Sequence, residues 1–147
     1  MSKIYINTDG GSRGNPGPAG IGVVFFDESE KEFYSTGKFI GNGTNNEAEY
    51  NAIIYALEIL LKSDWFLKNN NSGGEVVCRL DSQLVVEQIN GNYKVKQDHL
   101  RELLEKIKFI IKQISLNIKF VHVRREQNKR ADELVNIALD AELKKAV

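Results

Sequence analysis

Four acidic residues occupy positions that acids seldom take in a soluble domain. Asp9 and Asp81 each follow a strand-like run, KIYINT and EVVCRL, rather than facing water along a helix. Strand ends of an α/β sheet are where sites collect. Glu49 lies in a helix-like stretch. At about 100° per residue it shares a face with Ile53, Ala56 and Leu60, while Glu47 and Glu58 fall on the opposite face. A glutamate on a core-facing stripe loses hydration unless a cation meets it. Asp132 lies in the first turn of the last helix-like segment, where the helix dipole favours negative charge. If the four converge, they cannot all stay ionised without cations. Oxygen-only ligands with open positions suit Mg²⁺ or Mn²⁺. Two such ions about 4 Å apart can activate water and stabilise the leaving oxygen of a phosphodiester.

Each residue also has an ordinary reading. An aspartate after a strand is a common turn or cap residue. Asp132 alone could be a plain first-turn acid, and Glu49 could pair with a buried Lys or Arg. Glu47 stands three residues after Thr44, the spacing of a capping box. His99 and His122 read as surface or strand residues, and no His/Cys cluster has zinc spacing. No serine is paired with a histidine as a nucleophile would require. The glycine-rich stretch Gly10–Gly20 lacks the lysine of a P-loop and leads into a strand, which argues against nucleotide binding there.

The positioning elements follow from periodicity. Lys3–Thr8 alternates as a strand, followed by a turn-rich glycine loop; Ile21–Phe26 and Glu32–Ile40 are two more strands, joined by the Asp27–Glu30 turn. Short connections make these an antiparallel meander. A helix runs from Thr44 to about Lys62. Asn69–Gly74 is a surface loop and Glu75–Leu80 a strand. Ser82–Asn90 is a short helix stopped by Gly91, and Asp98 is placed to cap a helix reaching about Ile114. Leu116–Val123 is the last strand, Arg124–Lys129 a polar loop, and Arg130–Lys145 the last helix. The order βββαβααβα implies an α/β fold: a mixed sheet, antiparallel meander plus parallel strands, flanked by helices.

Composition narrows the class. A chain of 147 residues that is 41% hydrophobic can bury one core, so residues 1–147 are expected to form a single domain. Lys+Arg and Asp+Glu are 20 each, so a polyanion must be held by a local basic patch or by metal. One cysteine, Cys78, excludes a disulfide framework and suits a reducing cytosol. The N-terminal residues lack a signal-peptide pattern, and no apolar run nears the roughly 18 residues of a membrane span. A cytoplasmic protein without membrane contact is expected.

The segments TDGGSRGNPGPAGIG, TNNEAEYNAI, LDSQLVVEQINGNYKVK and VRREQNKRADELVNIAL resemble, in that order, the four motif regions of the type 1 ribonuclease H family. The match runs from about Lys3 to Ala141. The resemblance implies a ribonuclease H-like, five-stranded mixed sheet. It further implies two-metal hydrolysis of the RNA strand of RNA/DNA hybrids, leaving 5′-phosphate and 3′-hydroxyl ends, with two Mg²⁺ or Mn²⁺ ions bound alongside substrate. By motif, Asp9, Glu49, Asp81 and Asp132 resemble the four catalytic metal ligands; within TNNEAEY the family glutamate falls on Glu49, not Glu47. Gly10, Gly11, Asn15, Asn45, Asn46 and Gln83 match regions that touch substrate. Such polar groups can sense the 2′-hydroxyl that DNA lacks.

Two departures stand out. Many bacterial members carry a histidine in the loop before the last acid; here that loop reads RREQN, and Arg124 or Arg125 is expected to take the role by charge, with His122 in the strand. The Lys- and Trp-rich insertion of bacterial members is absent, since only NYKVKQ separates Gly91 from the next helix. Grip must then come from Lys94, Lys96, Arg124, Arg125, Lys129 and Arg130. The expected partner is an RNA/DNA hybrid, with duplex RNA as the alternative, bound by a monomer. The contrary reading is a nucleic-acid-binding module without catalysis, against which the presence of all four acids argues.

Overall fold

The computed structural model describes residues 2–145. Three strands come first: β1 (Lys3–Ser12), β2 (Gly17–Phe26) and β3 (Glu32–Gly43). They are followed by α1 (Asn45–Lys62), α2 (Asp64–Asn69), β4 (Glu75–Leu80), α3 (Gln83–Ile89), α4 (Asp98–Lys112), β5 (Asn117–His122) and α5 (Lys129–Lys145), with a 3-10 turn at Arg125–Gln127. The five strands form one sheet in the order β3-β2-β1-β4-β5. β1, β2 and β3 are antiparallel neighbours, while β4 is parallel to both β1 and β5. The expected mixed sheet is therefore observed.

Four details differ from the sequence expectation. α2 was not anticipated. Ser63 makes it possible by serving two helices: its backbone N–H donates to the Leu60 carbonyl at the end of α1, and its hydroxyl accepts from the Phe66 N–H at the start of α2. The glycine stretch is mostly strand, with β1 running to Ser12 and β2 starting at Gly17, because the hairpin ladder continues to the Ser12–Ala19 pair. β3 likewise continues to Gly43, paired with Gly17. Asp98 does not cap α4; Gln97 takes that position without a side-chain bond, and Asp98 instead accepts from Arg101 Nη1 at 2.8 Å. The reading at Gly91 holds: its φ of 84° follows the end of α3 and suits a residue without Cβ.

The main core lies between the sheet and the helices α1 and α4. Ile4, Ile6, Val23 and Phe25 from the sheet meet Ile53, Leu57 and Leu60 from α1 and Leu104 and Ile107 from α4. Burying each such side chain contributes roughly 1.5–3 kcal/mol, so this layer fixes where α1 lies. α5 covers the other face, where Ala131 and Leu134 pack with Val24. It approaches over glycines: a Cβ at Gly22 would run into the carbonyl oxygen of Ala131, and one at Gly37 would stand 2.6 Å from that of Leu134. Cys78 is buried in the middle of β4, paired with Ile6 on one side and Phe120 on the other. Among the described residues, no helix is long and apolar enough to cross a membrane.

Candidate active site

Asp9 does not end its strand, contrary to the sequence reading. It lies within β1, opposite Gly22 of β2. The parallel pairing of β1 with β4, however, stops at Asn7–Arg79. From Thr8 onward β1 has lost its β4 neighbour, and Asp81 follows directly on the end of β4. The two aspartates thus flank the point where the sheet opens. α1 adds Glu49 from one side. It sits close to β1 because Ala48, Ala52 and Ala56 are small and buried, and because a Cβ at Gly10 would strike the backbone of Ala48. The Gly10 N–H donates to Glu49 Oε1 at 2.9 Å. α5 adds Asp132, exposed in its first turn.

Asp9, Glu49 and Asp81 each offer a carboxylate oxygen within 4.8 Å of the others. Asp132 stands outside that trio but lines the same cavity of about 450 Å³. Burial pushes Asp9 up to about 7, with the charges of Asp81 and Asp132 adding and contact with the Glu49 carboxyl opposing. Burial, then the Asp9 charge, holds Glu49 well above the ordinary range. Asp81 is also raised by burial, while the Asn128 amide and the Arg125 charge act the other way. Glu49 Oε2 is buried without a hydrogen-bond partner among the described residues. Such an oxygen is costly to keep unpaired, and a cation is the partner this environment lacks. The donor set is all oxygen, which fits a hard divalent ion.

The cavity is also lined by Gly10, Gly11, Asn45, Asn46 and Arg125. Asn15, Gln83 and Arg124 do not line it. Asn15 instead braces the wall: its Oδ1 accepts from the Asn45 N–H at 3.0 Å, and Asn45 Oδ1 accepts in turn from the Ser12 N–H at 2.9 Å. Gln83 is exposed at the start of α3, and Arg124 is exposed before the 3-10 turn. His122 is exposed at the end of β5, paired with Leu80 and so one residue from Asp81 in register. Glu47 completes the capping box with Thr44, accepting from the Thr44 N–H at 2.9 Å. Arg130, expected to grip substrate, is engaged by Glu32 and Glu133.

The sequence pattern does not mark Asn128, which falls within the polar stretch Arg124–Lys129. The residue is 1% exposed. Its Nδ2 donates to the Thr8 carbonyl at 2.9 Å, beside Asp9, and its own carbonyl accepts the Asp132 N–H at 3.2 Å. It therefore ties the start of α5 to β1. The available signal was an asparagine just before a helix, a cap position; that it is buried depends on the tertiary fold. Arg13, Ser12 and Asn136 also line the cavity and were not singled out.

Comparisons with known proteins give the family and the fold. The family model described as "Reverse transcriptase-like" matches residues 7–138. A bifunctional protein of Mycobacterium tuberculosis is 39% identical over 95% of this chain, and ribonuclease HI of Halobacterium salinarum is 35% identical over 94%. The chain spans only 36% of the first and 65% of the second. The structure of LC11-RNase H1 in complex with RNA/DNA hybrid is similar at a TM-score of 0.86 and 48% identity, covering 95% of this chain and 99% of that one.

Proposed function

Because the chain belongs to the type 1 ribonuclease H family, we propose that it hydrolyses the RNA strand of RNA/DNA hybrids, leaving 5′-phosphate and 3′-hydroxyl ends. The observation that carries the reading is the trio Asp9, Glu49 and Asp81 within 4.8 Å, with a buried Glu49 oxygen left unpaired. Asp9, Glu49, Asp81 and Asp132 would hold two Mg²⁺ or Mn²⁺ ions. When bound, such ions offset the charge that builds on the phosphodiester as it is cut.

The chain's own groups do the positioning. The Gly10 N–H fixes one oxygen of Glu49 and leaves the other for a cation. Asp9 and Glu49 must release their protons before they can ligate, since both sit above the usual carboxylate range. Asn128 keeps the start of α5 against β1, which sets the reach of Asp132. Arg125 on the cavity wall offers a cation to a phosphate oxygen. Asn45 and Asn46 present polar groups able to recognise a ribose. We place the chain, as a monomer, in the cytoplasm; its single cysteine is buried and free, which suits a reducing compartment.

The test is cleavage of labelled hybrid, duplex RNA and duplex DNA with Mg²⁺, with Mn²⁺ and with chelator. Metal-dependent cleavage of the RNA strand in hybrid, with duplex DNA untouched, is the expected result. Cleavage of duplex RNA as well would match the direct loop from α3 to α4, which holds no extra helix to select a partner strand. No metal-dependent cleavage of any substrate would return the chain to a binding module.

A further inference from the structure

The acid cavity repels phosphate until metal enters, so the strand around the cut must be held by cations on the walls. The chain has six arginines. Arg79 is bound bidentately to Glu30 and donates to Asn7; Arg101 donates to Asp98 and to the Val95 and Lys96 carbonyls. Arg130 is occupied by Glu32 and Glu133, and Arg124 lies outside the cavity. Only Arg13 and Arg125 remain on its walls. Arg125 stands on the Asp81 side, near enough for its charge to oppose the rise that burial gives the Asp81 carboxyl. Arg13 belongs to the other side.

Arg13 sits just beyond β1, with its backbone held where the β1–β2 hairpin closes, its N–H donating to the Pro18 carbonyl at 2.8 Å. Its guanidinium reaches α5. Nη2 contacts Asp140 Oδ1 at 2.7 Å and Asn136 Oδ1 at 3.4 Å. Asn136 Nδ2 in turn donates to the Asp132 carbonyl at 3.1 Å. Asp132, Asn136 and Asp140 follow one another at four-residue spacing, so they share one face of α5, with about 6 Å between steps. Both contacts fall on Nη2, leaving the Nε–Nη1 edge outside them. Asp140 is largely exposed, and an exposed ion pair is weak enough to share its arginine with a phosphate.

We propose that Arg13 binds a backbone phosphate flanking the cut, on the α5 side of the cleft, and that Asp140 and Asn136 hold its guanidinium ready. The inference rests on the hydrolase reading above. Guanidinium presents paired donors that match a phosphate, so a lysine at this position is an imperfect substitute.

Two measurements test it. Hybrid binding is titrated at several salt concentrations in the Asp9→Asn background, with and without Arg13→Ala. The added substitution should make the slope of log affinity against log salt shallower by about 0.9. In the otherwise intact protein, Arg13→Ala should raise KM about three- to tenfold with kcat within about twofold, and Arg13→Lys should fall between. Asp140→Asn retains the cation, so its KM should stay below that of Arg13→Ala. An unchanged slope and KM in Arg13→Ala would overturn the proposal. So would an equal rise in Arg13→Ala and Asp140→Asn, the signature of a purely structural tether. Arg13→Gln and thermal melts guard against misfolding of the alanine variant. If the wild type cuts no hybrid with either metal, the hydrolase reading falls, while the salt slope still decides whether Arg13 meets a phosphate.

Discussion

The Gly10 amide donates to Glu49 Oε1 across 2.9 Å, joining the C-terminal part of β1 to the second turn of α1. The same carboxylate keeps its other oxygen buried and unpaired. Glu49→Gln preserves the acceptor for Gly10 and removes an ionisable carboxyl from beside Asp9. We expect turnover to fall at least about 100-fold while the metal-free protein melts at the same or a higher temperature. Glu47→Gln should keep turnover within about tenfold, because glutamine still completes the capping box. Steady-state rates on a labelled hybrid and a melting curve check both halves. Loss of turnover in the Glu47 variant alone would place the essential acid on the wrong face of α1.

Divalent metal should raise the melting temperature of the protein, since it binds the folded acid trio and not the open chain. At a free metal concentration about 100 times Kd the gain is roughly 2.7 kcal/mol. Chelator should abolish both the shift and the turnover. Calorimetry with Mn²⁺ and Mg²⁺ reads the stability, and a full rate in chelator would remove the metal from the mechanism.

The acid cluster makes an unusual demand on pH. Asp9 is raised to about 7 in the fold, above its ordinary value of 3.8. The folded protein therefore binds more protons than the unfolded chain between those values. By linkage, this group's effect on metal-free stability worsens as pH rises from about 4 to about 7, then levels off. Glu49 and Asp81 are shifted in the same direction. Melts of metal-free protein from pH 5 to 8 should show the fall, and Asp9→Asn should flatten it. Metal affinity should run oppositely, weakening as pH drops through about 7.

Asn128 is buried and bonded at two points of the site. Asn128→Ala leaves the Thr8 carbonyl without its partner and should cost about 1–3 kcal/mol of stability. It should also lower kcat, because the start of α5 is no longer tied to β1. Asn128→Asp cannot donate from the same atom and adds charge beside Asp81, so it should be worse in both respects. Denaturant titration and single-turnover rates separate the two effects.

The two loop arginines are expected to differ. Arg125 lines the cavity and Arg124 does not. Arg125→Ala should raise KM by about tenfold on hybrid, and Arg124→Ala by less than about threefold. His122→Ala should cost less than Asp132→Asn, since the histidine is exposed at the strand end. Parallel kinetics of the four variants would show whether the order is reversed.

Much of this was legible in the sequence because periodicity carries it. Glu49 was selected by its helical face, and the same stripe, Ile53, Ala56 and Leu60, is buried in the fold. The meander and the parallel strands followed from connection lengths. What was not legible depended on pairing between distant segments. Asp9 looked like a strand end, since glycines after it read as a turn; the ladder to β2 carries β1 onward to Ser12, and only the β4 side stops. The roles of Asn128, Arg13 and Asn136 rest on contacts more than a hundred residues apart in the chain, which no local pattern encodes. Asn15 and Gln83 were grouped by motif, yet one braces the wall and the other stands exposed.

Cys78 has a practical consequence. Its thiol is pushed up to about 12 by burial, and β1 and β5 close over β4 on either side. In the closed molecule it offers almost no thiolate to an electrophile. Labelling with a thiol reagent must then wait for the central strands to part, so the labelling rate is a clock for opening at the heart of the sheet. Run with and without Mn²⁺, that clock would show whether filling the acid cluster slows the breathing of the strands on which Asp9 and Asp81 are mounted.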